Sequence, residues 1–222
     1  MRVAVVVQRY GAGILGGAET YAGVLAGLLS RFHDVEVLTT TAREYVAWRN
    51  ELPPGVFRED GVRVRRFPVE RGREPAWGVL NRLLHDGFDS SEFALLPAEV
   101  RDAHARRLRA WPDALQEAFI RGQGPHAPAL HRHLRTSSYD RVVFVTYLYP
   151  TTYDGLAEVP KDRAIVVPTL HDEPPAYLPV FGRRLAKARL LGLTDTEIGI
   201  MARLYPGRPL TAERIGYGIK LP

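Results

Sequence analysis

A chain of 222 residues, 45% hydrophobic and 25% charged, has the composition of a soluble globular protein and the length for one large core. It contains no cysteine, which excludes disulfides and cysteine-based zinc sites, and no apolar run of the ~18 residues that a membrane-spanning helix needs. The formal net charge of +5 rests on scattered arginines with three lysines (Lys161, Lys187, Lys220), and no basic stripe is interleaved with aromatics, so nucleic acid is not an expected partner.

Arginine forks suit phosphorylated small molecules or an anionic membrane surface, so peripheral membrane contact stays open. No export signal opens the chain, and a cytoplasmic location is the expectation.

Val3 to Val7 is an unbroken apolar run, the mark of a parallel strand buried on both faces. From Gly17 to Arg31 the residues Tyr21, Val24, Leu25, Leu28 and Leu29 recur at helical spacing, and VEVLTTT (Val35 to Thr41) reads as a second strand. Together they predict a βαβ unit with a right-handed crossover. VFREDGVRVRRFPV (Val56 to Val69) carries a turn signal at Asp60-Gly61 and reads as a hairpin or a strand after a tight turn.

Residues 75 to 136 have no strand-like run and predict several helices, a helical insertion. Strand patterns return at RVVFVTYLY (Arg141 to Tyr149) and AIVVPTL (Ala164 to Leu170), then at Leu190 to Leu193 before a final helix. Thr194 and Glu197 have capping-box spacing at that helix start. RIGYGIKLP (Arg214 to Pro222) is a last strand-like piece. The expected fold class is α/β: a Rossmann-like open parallel sheet flanked by helices, in a single domain over 1–222.

Between the first strand and helix lies RYGAGILGGAET (Arg9 to Thr20). Gly11, Gly13 and Gly16 fit the dinucleotide spacing G-x-G-x-x-G. That fingerprint puts its first glycine at the strand end and an acidic residue at the tip of the second strand. Here Gln8, Arg9 and Tyr10 intervene and the second strand ends in three threonines, although Arg43 leaves an NADP reading open. Gly16-Gly17, directly at the helix start, is the stronger signal, because bare backbone and the helix N-terminus favour an anion.

The segment QRYGAGILGGAETYAGVLAGLLSRFHDVEVLTT resembles the amino-terminal, acceptor-side domain of retaining glycosyltransferases of family four, which have the GT-B fold. Gly16-Gly17-Ala18-Glu19 matches that family's Gly-Gly-Ala/Val-Glu loop, and Phe32-His33-Asp34-Val35 matches its Gly-His-Glu-Val-like turn with Phe in place of Gly. The likeness continues through YDRVVFVTYLYP, AIVVPTLHDEPP and Thr194-Asp195-Thr196-Glu197.

The resemblance implies one half of a GT-B fold, with residues 214–222 beginning a hinge to a second, donor-binding domain. The chain alone is then expected to be inactive. The implied co-substrate is a nucleotide-sugar, with no cofactor and no metal. Gly16, Gly17, Glu19, Thr146 and Tyr147 would meet the donor's phosphate or sugar. Thr146 and Tyr147 stand where the family commonly has a histidine that this sequence lacks.

His171 is the catalytic candidate, since Thr169-Leu170-His171 matches the family's Thr-x-His. Arg43, Tyr45, Trp48, Asn50, Asp172 and Glu173 would serve the acceptor. His126, His131 and His133 do not have helical metal-ligand spacing. A third reading, a non-catalytic binding domain, gains if the Gly-Gly edge is filled by the protein's own side chains.

Overall fold

The computed structural model describes residues 1–205 and 210–217. Its strands are β1 (Arg2–Val6), β2 (Asp34–Thr40), β3 (Gly55–Glu59), β4 (Val62–Phe67), β5 (Arg141–Val145), β6 (Ala164–Val167), β7 (Arg189–Gly192) and β8 (Ala212–Arg214). They form one eight-stranded sheet in the order β3-β4-β2-β1-β5-β6-β7-β8. Every neighbouring pair is parallel except β3 with β4. That pair is the hairpin expected from Asp60-Gly61, and both turn residues have positive φ (45° and 81°), as a two-residue primed turn requires. β8 ends at Arg214, where the expected strand-like piece begins, so that piece shares one residue with a strand; 215–217 are in none, and 218–222, part of the expected hinge, lie outside the described residues.

Alternation along the strands divides the core in two. Val3, Val5, Val7, Val37, Val64, Val143 and Val145 face one side, where α1 (Gly17–Leu29) covers them with Tyr21, Ala22 and Ala26. Ala4, Val6, Leu38, Phe144 and Val166 face the other.

That second face carries most of the helices: α2 (Trp77–His85), α3 (Ser90–Leu95), α4 (Ala98–Arg109), α5 (Asp113–Gln123), α6 (Pro128–Thr136), α7 (Pro150–Tyr153), α8 (Pro179–Leu185) and α9 (Asp195–Leu204). Leu130 and Leu134 seat α6 on the sheet core as the crossover into β5, so the insertion proper is α2 to α5. Pro97 and Pro112 cap the starts of α4 and α5 and Pro128 opens α6, where a missing backbone N–H costs nothing. No helix among the described residues is long and apolar enough to cross a membrane.

The capping box is only half formed. The Thr194 hydroxyl accepts the Glu197 N–H (3.0 Å), but the buried Glu197 carboxylate does not reach back to Thr194. It accepts the N–H groups of Leu193 (2.7 Å) and Leu170 (2.9 Å), tying the loop after β7 to the loop after β6.

Candidate functional site

The chain leaves β1 towards β2 and β4 on one side and resumes on the other with β5, β6 and β7. Loops after β1 and β5 therefore diverge, and open α/β sheets bind ligands at that point, beyond the carboxyl ends of the strands. A cleft of about 1120 Å³ lies there. Its walls come from the loop after β1, the first turn of α1, the loops after β5 and β6, the start of α9, and Ser90 and Ser91 of α3 in the insertion.

The two adjacent glycines differ in why they are glycine. Gly16 is the N-cap of α1 in an extended conformation, with no side chain capping the helix. A Cβ on Gly16 would overlap the Glu19 carboxylate, whereas a Cβ on Gly17 would meet nothing within 4 Å. The Gly16 edge is thus filled by the protein itself and the Gly17 edge is open.

Glu19 is buried with Arg9, whose Nη2 and Nε lie 2.6 and 2.9 Å from one carboxylate oxygen. Gln8 Nε2 donates to that oxygen at 3.0 Å. Arg9 also donates to the carbonyls of Arg43 (3.0 Å) and Leu15 (3.4 Å) and lies 5.1 Å over the ring of Tyr45. Because only an amide nitrogen can face a carboxylate, the Gln8 side chain has one orientation, and its Oε1 is buried without a partner. Sequence reasoning passed over Gln8 and Arg9 as spacers. Their position directly after β1, at the ligand edge of the sheet, was the signal that marked them.

At the ends of β5 and β6, Thr146 and Thr169 have φ of 67° and 49°. Left-handed backbone is unfavourable for β-branched residues and is held only where its surroundings impose it. Here the ladder continues past the strands, with Thr146 N donating to Val167 O (2.9 Å) and Tyr147 N to Pro168 O (3.1 Å).

Tyr147 lines the cleft with its hydroxyl already engaged. Its ring is buried edge-on to Phe181 at 4.8 Å and its hydroxyl donates to Glu173 (2.8 Å). Burial and then Glu173 push that hydroxyl's pKa far up. Tyr149 lines the cleft, with its pKa pushed up to about 12 by burial and the nearby Glu19.

His171 is exposed in the cleft wall just beyond β6, where the strand pattern puts it. Glu173 joins it there. Asp172 also lines the cleft, and its carboxylate accepts from Arg101 (2.7 Å), Arg203 (2.8 Å) and the Tyr177 hydroxyl (2.5 Å), tying α4 and α9 to this loop.

Of the four residues expected in the acceptor loop, Tyr45 alone lines the cleft. Arg43 is exposed outside it. Trp48 is buried at positive φ (60°), donating its indole N–H to Gln123 O (2.8 Å) and packing edge-on to Tyr149 at 5.2 Å. The Asn50 amide bonds both backbone groups of Val69 (2.8 and 3.0 Å) and accepts from the Thr41 hydroxyl. Both residues hold the loop to the body of the domain.

Among the described residues no group of three or more His, Asp or Glu side chains is placed to hold a metal ion. The dinucleotide geometry is not formed, because β1 ends at Val6 and α1 begins at Gly17, leaving residues 7–16 as a loop where the fingerprint demands a tight turn.

No family model matches this chain, and no curated protein matches it. Among solved structures, a sucrose-phosphate synthase from Thermosynechococcus elongatus matches over 99% of this chain and 90% of its own, at 11% identity and a TM-score of 0.49.

Proposed function

We propose that this chain is the acceptor-side domain of a retaining, metal-independent glycosyltransferase of the GT-B kind, with the acceptor sugar in the switch-point cleft. One observation carries the reading. Gly17 to Glu19, Thr146, and Thr169 to His171, which lie far apart in the sequence and carry the family resemblance, line a single cleft at the ligand edge of the sheet. Fold alone does not imply function, so the weight rests on this convergence.

His171 offers an imidazole in the cleft wall that can exchange a hydrogen bond with a reacting hydroxyl. Tyr45, stacked on Arg9, offers a ring face at the mouth. The bare first turn of α1 at Gly17 gives the donor's diphosphate a place to approach backbone N–H groups. The donor's remaining contacts, and turnover, belong in this reading to a second domain facing the cleft.

Ligand-observed NMR on the 222-residue chain tests the reading with free sugars, nucleotide-sugars and NADP. Sugar binding that His171→Ala weakens about tenfold is expected, with no transfer activity from the chain alone. Binding of NADP with no response to any sugar overturns the reading in favour of a dinucleotide module. Robust transfer by the chain alone removes the need for a second domain.

A further inference from the structure

The protein as a whole is basic, with a formal charge of +5, but its cleft is not. Among the described lining residues Arg9 is the lone arginine or lysine, and it is committed to Glu19 and two carbonyls. Asp172 is offset by Arg101 and Arg203. Arg9 offsets Glu19, which leaves Glu173 and Glu197 as lining carboxylates with no ion-pair partner among the described residues. The anion's place beside Gly16 is held by the Glu19 carboxylate. The open Gly17 edge leaves backbone N–H groups for the donor's diphosphate, but a phosphate carried by the acceptor beside Glu173 and Glu197 meets carboxylates and no uncommitted cation, an unfavourable desolvation.

The same walls are rich in hydrogen-bonding groups that suit hydroxyls. Neighbouring polar groups are engaged with one another: Tyr147 with Glu173, Thr194 with Glu197, and Glu197 with two backbone N–H groups. The hydroxyls of Thr146 and Thr169 have no protein partner among the described residues, and both residues line the cleft from left-handed backbone. The Thr146 backbone is held left-handed by its N–H bond to the Val167 carbonyl (2.9 Å), so both threonines are set in the cleft wall by the fold while their hydroxyls stay available to a ligand. Glu173 receives Tyr147 on one oxygen and keeps the other for a second donor.

We propose that this chain's side of the cleft selects an uncharged polyhydroxyl acceptor over its phosphate esters, read by the Thr146 and Thr169 hydroxyls and the Glu173 carboxylate. The proposal rests on the glycosyl-transfer reading and narrows it: the acceptor is a neutral sugar, and the only phosphates in the reaction are the donor's.

The test titrates the chain with glucose, galactose, mannose and fructose, each beside its monophosphate ester. At least one neutral sugar is expected to bind ten or more times tighter than its ester. Thr146→Val and Thr169→Val each weaken that binding about tenfold, a loss of one hydrogen bond of ~1.4 kcal/mol, and Thr→Ser at either position restores it. Glu173→Gln narrows the gap between sugar and ester. Should one valine variant fail to fold, the other and Glu173→Gln carry the test. An ester that binds as tightly as its sugar, or valine variants that bind as wild type, overturns the proposal and leaves the sugar reading standing. If neither member of any pair binds, the sugar reading falls and takes the proposal with it.

Discussion

The two ends of the sheet treat polar groups in opposite ways. Towards the amino ends, Glu36 of β2 accepts Arg65 Nε (2.8 Å) and the Tyr139 hydroxyl (2.5 Å), and that hydroxyl also meets His133 (3.0 Å). The Arg2 backbone N–H donates to Asp140 (2.7 Å) beside it. At the carboxyl ends, two threonines sit in left-handed backbone, Gln8 Oε1 has no partner, and the Gly17 edge stands open. The same strands end in a closed network on one side and an unfinished one on the other. Complementing a ligand requires groups that the fold leaves unpaired, and those are affordable only where the rest of the sheet is well satisfied.

Glu197 puts this contrast under the greatest stress, because it is the closed element within the open end. Glu197→Ala strands the N–H groups of Leu170 and Leu193. The expected loss is about 3 kcal/mol, seen as a fall of about 6–12 °C in Tm together with lost sugar binding, since the His171 loop is released. Glu36→Ala at the other end strands Arg65 and Tyr139 and costs about 2 kcal/mol, with sugar affinity unchanged. Thermal melts paired with sugar titrations separate the two. If Glu36→Ala also lowers affinity, the ends are not independent.

The pH profile of stability sharpens the same contrast. Burial holds His85, His126, His131 and His133 below the ordinary imidazole value of 6.5. The folded state resists these protons while the unfolded chain accepts them. Their contribution is complete above pH 6.5 and is lost as pH falls through the folded values.

Tyrosines behave in the mirror sense. Burial, aided by Glu36 at Tyr139 and by Glu19 at Tyr149, raises both above 10, so their contribution is complete below pH 10 and lost as pH climbs through the folded values. Melts from pH 5 to pH 12 should show a plateau between these limbs. A bound sugar should move the alkaline limb, through Tyr149 in the cleft wall.

The sheet was legible because β1, β5 and β6 carry unbroken apolar runs, and α1 because its apolar residues keep helical period on one face. The prolines that begin α4, α5 and α6 read in the sequence only as breaks between helices, so the helix bounds there were not legible. The site was legible in its loops and only partly in its side chains. Asp172 and Glu173 are adjacent acids with different fates, and what separates them is Arg101 and Arg203, supplied by helices far along the chain. Trp48 sits in a polar loop and reads as a ligand contact until the Gln123 carbonyl takes its indole N–H. Local sequence announces where a strand ends and not which distant donor meets the residue beyond it.

The glycine pair gives the finest test, because both substitutions change one methyl at neighbouring positions on the same helix start. Gly16→Ala must push the Glu19 carboxylate off its place beside Arg9 and Gln8, at an expected cost of about 2 kcal/mol in a denaturation experiment. Gly17 is the first residue of α1, and its added methyl meets nothing. Alanine is the better helix former by about 0.5–1 kcal/mol in a helix interior and by less at a helix start, so Gly17→Ala should leave Tm unchanged or raise it by about 1–2 °C. Stability alone therefore gives no reason for glycine at 17. A reason appears if the same variant weakens nucleotide-sugar binding, since the methyl then stands where a phosphate comes up to the backbone. A Gly17→Ala protein that is as stable and binds as well would make this an ordinary helix start, and the open end of the sheet would then begin at Thr146.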